Sequence, residues 1–214
     1  MTGTVITVAP TGRDSSLDDL VSTARECEAL GAAVIRVHDP EAVPALRAAT
    51  GLIVQLASGS LEVQPDMAVC PVGGSLGKPG IVPEYEITDP AQIVELGRLV
   101  DQAVHVGLVL GAPGGMPATA AALVECEQAV RRLPEGTTFS ATGLGAGTLP
   151  VILATLSLGG HLRVGREDTI MYGPGRPVES NMQLVARAVG FAQLAQRPPL
   201  SPNEARELLG VPAK

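Results

Sequence analysis

Short runs of β-branched and aliphatic residues alternate along this chain with Ala-, Leu- and Glu-rich stretches whose apolar positions recur at helical spacing. Eight such runs fall at residues 4–8, 33–37, 52–56, 67–72, 84–87, 105–110, 137–141 and 162–164. Continuous apolar strands alternating with amphipathic helices are the pattern of a parallel sheet buried on both faces by crossover helices. Eight repeats predict a closed (βα)8 TIM barrel. A doubly wound sheet of five or six strands competes, because the fourth and eighth runs are short.

Helices are predicted over residues 17–30, 89–103, 118–133, 148–158 and 181–196. Ser15 or Ser16, followed by Asp18 and Asp19, supplies hydroxyl acceptors and negative charge at the start of the first helix, and Gly31 stops it. The run Ser201-Pro202-Asn203-Glu204 opens a short closing helix that Gly210 ends. Ten residues separate Leu56 from Met67 and eleven separate Val72 from Glu84, too few for a full helix with two loops. The barrel is therefore expected to be compact, reduced on one side at its third and fourth crossovers. The connector Arg197-Pro198-Pro199 is too short to divide domains, so residues 1–214 are expected to form one domain.

Composition narrows the functions available. The formal net charge of -7 and the two Phe, two Tyr and no Trp leave neither a basic phosphate-binding surface nor a base-stacking platform, so nucleic acid is not an expected partner. Three widely spaced cysteines, Cys27, Cys70 and Cys126, suit neither a disulfide framework nor zinc-finger spacing and point to reduced thiols in the cytoplasm. No export signal is expected from the reading of the sequence, and with no apolar stretch of membrane-spanning length in it no membrane partner is expected either.

In a (βα)8 barrel, chemistry sits at the C-terminal ends of the strands. The polar residues there are Asp14 after the first run, Arg36 and His38 at the second, Ser58 after the third and Ser75 after the fourth. Glu84 and Glu86 lie within the fifth, and Arg163, Glu167 and Asp168 at the eighth. His38 is a candidate metal ligand or acid/base, with Glu167 the nearest carboxylate to join it. Arg163 stands between Leu162 and Val164, so strand alternation turns it inward, where a guanidinium needs an anionic partner. The loop Gly111-Ala112-Pro113-Gly114-Gly115-Met116-Pro117-Ala118 could offer backbone N–H groups around Gly114 to an anion, or be a tight strand-to-helix turn. It is neither a Walker loop nor a dinucleotide fingerprint, and no Gly-x-Ser-x-Gly elbow is present.

Several segments in order carry a more specific signal. They are residues 109–119 (VLGAPGGMPAT), Leu133-Pro134-Glu135-Gly136, residues 159–168 (GGHLRVGRED), Ser180-Asn181 and residues 204–210 (EARELLG). Together they resemble the β-keto acid cleavage enzymes, strongly from Pro83 to the C-terminus, recognisably at residues 6–12 and 28–35, and thinly between Asp39 and Lys78.

The resemblance implies a (βα)8 barrel, a bound Zn²⁺, a homo-oligomer, and a retro-Claisen exchange in which a β-keto acid and acetyl-CoA give acetoacetate and a new CoA thioester. Residue by residue it implies His38 and Glu167 as metal ligands, with Asp168, Arg163 and Glu86 as catalytic groups. Asp14, Ser58, Ser75 and Glu84 fall near substrate-binding positions, with Gly114 and Arg36 joining them. One departure stands out: Arg36 occupies the first position of a family His-x-His pair whose second member is His38. Two other readings stay open on this account, a metal-free lyase or aldolase-like enzyme using Arg36 and Arg163 as an anion clamp, and a non-catalytic ligand-binding relative.

Overall fold

A computed structural model describes residues 3–10 and 16–214. Its eight parallel strands are β1 (Ile6–Val8), β2 (Val34–Val37), β3 (Ile53–Leu56), β4 (Met67–Cys70), β5 (Val82–Ile87), β6 (His105–Leu110), β7 (Thr138–Gly143) and β8 (His161–Val164). Each is hydrogen-bonded to the next, and β8 returns to β1 through Ile6↔Leu162, Thr7↔Arg163 and Val8↔Val164. Closure excludes the doubly wound alternative.

The helices are α1 (Leu17–Leu30), α2 (Ala42–Ala49), α3 (Pro90–Leu99), α4 (Ala120–Val130), α5 (Thr148–Ser157), α6 (Asn181–Leu194) and α7 (Pro202–Leu209). Between β3 and β4 only a 3-10 turn, Leu61–Val63, is present, and β4 runs to β5 without a helix. The helical layer is thus open on one side while the sheet is closed. A two-stranded antiparallel hairpin, β9 (Met171–Gly173) with β10 (Arg176–Pro177), follows β8.

Local chemistry accounts for the helix ends. Ser16 and Asp19 form a reciprocal capping box on α1, Asp89 and Gln92 on α3, and Ser201 and Glu204 on α7. Gly31 ends α1 at φ 113°, in the left-handed region where a side chain would be strained. Helix α2 was not among the helices predicted from the sequence; its Pro44 lies in the first turn, where the missing N–H has no intrahelical acceptor to lose.

Three apolar clusters form. Ile6, Val8, Ile35, Val37, Val54, Leu56, Leu162 and Val164 pack outward under α1, α2 and α6. Ile87, Val106, Leu108, Leu110 and Ala141 do the same under α3 and α4. The third cluster closes the N-terminal end of the barrel: Val5, Val34, Ile53 and Met67 meet Leu200, Ala205, Leu209 and Val211 from the α7 region. Arg206 fastens this plug, donating from Nη1 and Nη2 to the two carboxylate oxygens of Asp66, each at 3.2 Å.

The plug also fixes orientation along each strand. Val34 belongs to it, and side chains alternate with a period of two, so Arg36 faces the barrel interior. Val82 packs against the same plug and sets Glu84 and Glu86 inward on β5. On β8, His161 faces in and accepts the Val5 N–H at Nδ1, 3.1 Å away, which places Arg163 above it.

Candidate active site

Among the described residues, four carboxylates and two guanidiniums converge near the C-terminal mouth of the barrel. Arg163 Nη2 donates to Asp168 Oδ1 at 2.7 Å and to Glu167 Oε1 at 2.9 Å, and its Nη1 to Glu86 Oε2 at 3.3 Å. Arg36 Nη1 lies 2.8 Å from Glu86 Oε2 and 3.6 Å from Glu84 Oε1, with its Nε 3.8 Å from Glu167 Oε1. Glu86 therefore bridges the two arginines. His38 stands at the rim, its side chain 48% exposed, with Nε2 3.1 Å from Glu167 Oε2.

Gly165 makes the strand-eight half possible. A Cβ there would sit 1.9 Å from the Ala9 carbonyl oxygen, so only glycine lets the chain turn across the end of β1. Across that turn Glu167 N–H donates to Ala9 O at 3.2 Å, Asp168 N–H to Gly165 O at 3.1 Å, and Gly145 N–H to Asp168 O at 2.8 Å. These backbone bonds fix the two carboxylates over the mouth.

Beneath the arginines lies a second polar tier that the sequence reading missed. His105 Nε2 is 3.3 Å from Glu84 Oε2, His105 Nδ1 is 2.8 Å from Thr138 Oγ1, and Ser140 Oγ donates to Glu84 Oε2 at 3.4 Å. The register Glu84↔His105 sets these side chains beside one another. That pairing follows from strand register, which a single sequence does not display.

The electrostatics separate the carboxyls. Burial alone would raise Glu84, but the hydrogen bond and charge of His105, with Arg36 and Arg163, outweigh it and hold the carboxyl down at about 2. For Asp168 burial prevails and pushes the carboxyl above its ordinary value; Arg163 opposes the shift and Glu167 adds to it. One carboxylate is thus a fixed anion, while Asp168 can exchange a proton nearer neutral pH. Among the described residues, Arg36 Nε and Arg163 Nε are buried without a hydrogen-bond acceptor.

Other expected site residues stand apart from this cluster. Ser58, Ser75 and Gly114 are exposed in the loops after β3, β4 and β6. Ser75 Oγ accepts the Gly77 N–H at 3.3 Å, and the Gly111 N–H closes its own turn onto Met116 O at 2.8 Å. Asp14 lies outside the described residues.

The expected zinc can be tested against these donors. A catalytic zinc site takes three protein lone-pair ligands and an open position. His38 and Glu167 supply two, but a guanidinium, which donates protons and offers no lone pair, stands on the remaining side. Among the described residues no group of three His, Cys, Asp or Glu side chains is placed to hold a metal ion. Each guanidinium about 4 Å from a cation adds roughly 4 kcal/mol of repulsion per unit charge at an effective dielectric near 20. These residues do not fit a zinc centre.

The fold and site define a class: a (βα)8 barrel whose C-terminal mouth carries a cluster of carboxylates held by two arginines. A family model described as beta-keto acid cleavage enzyme matches residues 63–211, and the chain belongs to the β-keto acid cleavage enzyme family. Glu84, Glu86, Arg163, Glu167 and Asp168 lie within the matched residues; Arg36 and His38 lie outside them.

Among curated proteins, the chain is 34% identical over 139 residues to the 3-keto-5-aminohexanoate cleavage enzyme of Acetoanaerobium sticklandii, covering 63% of this chain and 50% of that enzyme. It is 30% identical over 138 residues to the 3-oxoadipate:acetyl-CoA acetyltransferase of Cupriavidus necator, covering 62% and 49%. The chain spans about half the length of these relatives. Of solved structures, the binary complex of ObcA with oxaloacetate superposes with a TM-score of 0.69 at 14% identity, over 92% of this chain and 66% of that one, a likeness of fold.

Proposed function

We propose that this chain cleaves a β-keto acid with acetyl-CoA as co-substrate, yielding acetoacetate and a new CoA thioester. The observation that carries the reading is the buried Asp168–Arg163 pair at 2.7 Å, set on the part of the chain that matches the family. Such an exchange requires removal of a proton from the carbon between two carbonyls and stabilisation of the oxyanion that results. Asp168, whose carboxyl burial has raised, is suited to take that proton and return it to the product. The unused N–H groups of Arg36 and Arg163 are suited to receive the keto and carboxylate oxygens.

Zn²⁺ was expected from the resemblance, but the donor set does not fit it, and no step here passes through a metal. A cytoplasmic homo-oligomer belongs to the same proposal and rests on composition and family resemblance. A metal-free lyase with Arg36 and Arg163 as its anion clamp is the second reading, favoured by those same unpaired guanidinium nitrogens; dependence on CoA separates the two.

The test is incubation of the purified chain with acetyl-CoA and a panel of β-keto acids, including 3-oxoadipate and 3-keto-5-aminohexanoate, followed by mass spectrometry. Acetoacetate and a matching new thioester should accumulate together. Cleavage without acetyl-CoA, or none across the panel, rejects the proposal.

A further inference from the structure

Arg36 has the surroundings usually given to a bound cation. Its side chain is 6% exposed, and carboxylate oxygens of Glu86, Glu84 and Glu167 lie around it at 2.8, 3.6 and 3.8 Å. The guanidinium is held from below as well. Glu84 is locked by His105 and Ser140, and β6 carries Gly107 at the point where a Cβ would come within 2.8 Å of Glu84 Oε1. Arg36 therefore sits over a rigid, charged floor, among carboxylates contributed by β5 and by the turn after β8.

Its hydrogen-bonding capacity is not used up there. Among the described residues, Arg36 Nε and Nη1 and Arg163 Nε are buried without an aligned acceptor, although Nη1 has Glu86 as its ion-pair neighbour. A buried N–H left unpaired is costly and marks where an acceptor oxygen would be welcome. Glu84 already has His105 as its own partner, so the donors left over belong to the arginines that face the mouth.

We infer that Arg36 is the resident cation of this site, and that Arg36 and Arg163 together hold the carboxylate or keto oxygen of a β-keto acid without a divalent metal. The choice of ligand class rests on the proposed β-keto acid cleavage; the replacement of the metal rests on the geometry around Arg36. Position 36 lies on β2, two residues before His38, which directly follows the end of that strand. Each already approaches a different oxygen of Glu167. Arg36→His would put a second imidazole into that convergence and turn two lone-pair donors into three.

The experiment uses the purified chain prepared with zinc in excess, metal quantified by mass spectrometry, and acetoacetate titrated calorimetrically with and without EDTA. The wild-type chain should retain less than about a tenth of a zinc per molecule and bind acetoacetate equally with and without EDTA, whereas Arg36→His should retain about one zinc that EDTA removes. Arg36→Met should weaken acetoacetate binding by about tenfold or more. Stoichiometric zinc in the wild-type chain that is lost in His38→Ala overturns the inference, as does acetoacetate binding that disappears in EDTA or is absent at every zinc level. The wild-type measurement holds even should a variant fold poorly. Metal-free acetoacetate binding without CoA-dependent cleavage would sustain the inference and reject the proposed reaction, so the two can fail separately.

Discussion

Arg163 reaches Asp168 at 2.7 Å, with one oxygen of the acid engaged and the carboxyl buried deeply enough for its proton affinity to rise. Asp168→Asn keeps the shape and one acceptor but loses the capacity to take a proton. Glu167 and Glu86 still partner Arg163, so the fold should survive. The expected loss in kcat/KM for acetyl-CoA-dependent cleavage is about 100- to 10,000-fold, with little change in melting temperature. A loss below about tenfold would leave Asp168 a structural partner of Arg163 and nothing more.

Arg163→Met should damage both properties. It leaves Glu86, Glu167 and Asp168 facing one another across a buried space with one guanidinium fewer, at a cost of about 3–5 kcal/mol. Urea unfolding followed by circular dichroism measures the loss. A variant as stable as the wild-type chain would mean that these carboxyls take up protons or relax outward at little cost.

The pH dependence of stability should carry the mark of His161. Burial, with the charges of His105 and Arg197, depresses this imidazole to about 3 from an ordinary 6.5, and its Nδ1 accepts the Val5 N–H in the neutral form. The unfolded chain thus binds a proton below about pH 6.5 that the folded chain refuses, so this contribution is present above that pH and is lost on acidification towards about 3. Between pH 6 and 4.5 the wild-type chain should lose about 2 kcal/mol relative to His161→Gln, measured by urea titration at each pH. Glu84 steepens the loss below its ordinary 4.5, being held ionised down to about 2. Asp168, with its raised carboxyl, acts in the opposite sense and cancels in the comparison. Parallel curves for the two proteins would disprove the assignment.

Arg206→Ala removes the clamp on the barrel plug and leaves the Asp66 carboxylate buried, held by the Val54 N–H at 2.9 Å and with Arg47 at 3.6 Å as its remaining cation. The expected destabilisation is about 3–5 kcal/mol in chemical denaturation, although the substitution is far from the mouth. Acetoacetate affinity of the remaining folded protein should be unchanged.

All three cysteines should be silent towards thiol reagents in the folded chain. Burial, aided by Glu26, pushes Cys27 up to about 12, and burial, aided by Glu125 and Asp89, pushes Cys126 to about 11; burial also raises Cys70. Titration with Ellman's reagent should find no fast thiol in buffer and three in urea. A fast-reacting thiol in the native protein would contradict the packing around it.

The barrel was legible because most of its strands are buried on both faces and so stand out as apolar runs, and because Ser16, Gly31, Ser201 and Gly210 punctuate the helices chemically. The hairpin β9–β10 was not legible, since strands of three and two residues carry no measurable alternation. Arg163 could be placed inside the barrel from alternation alone. Glu84, expected among substrate contacts, proved to be 5% exposed and paired with Arg36, His105 and Ser140. Its neighbours come from β2, β6 and β7, and only register and closure bring those strands to one point. His105 and His161 begin β6 and β8, at the opposite end of the strands from the mouth, where a sequence gives a histidine no reason to stand out as part of a site.

Gly107 has an evolutionary corollary. The space it leaves is filled by the Glu84 carboxylate, so position 107 is not free to gain a side chain while that carboxylate stays in place. A lineage that gained a side chain at 107 would first have to shorten residue 84, and by doing so would withdraw one of the negative charges that steady Arg36. Across homologous sequences a relative with alanine or larger at the first should therefore lack glutamate at the second. Such a pair would mark, from sequence alone, which relatives have kept the floor beneath the arginine and which have rebuilt it.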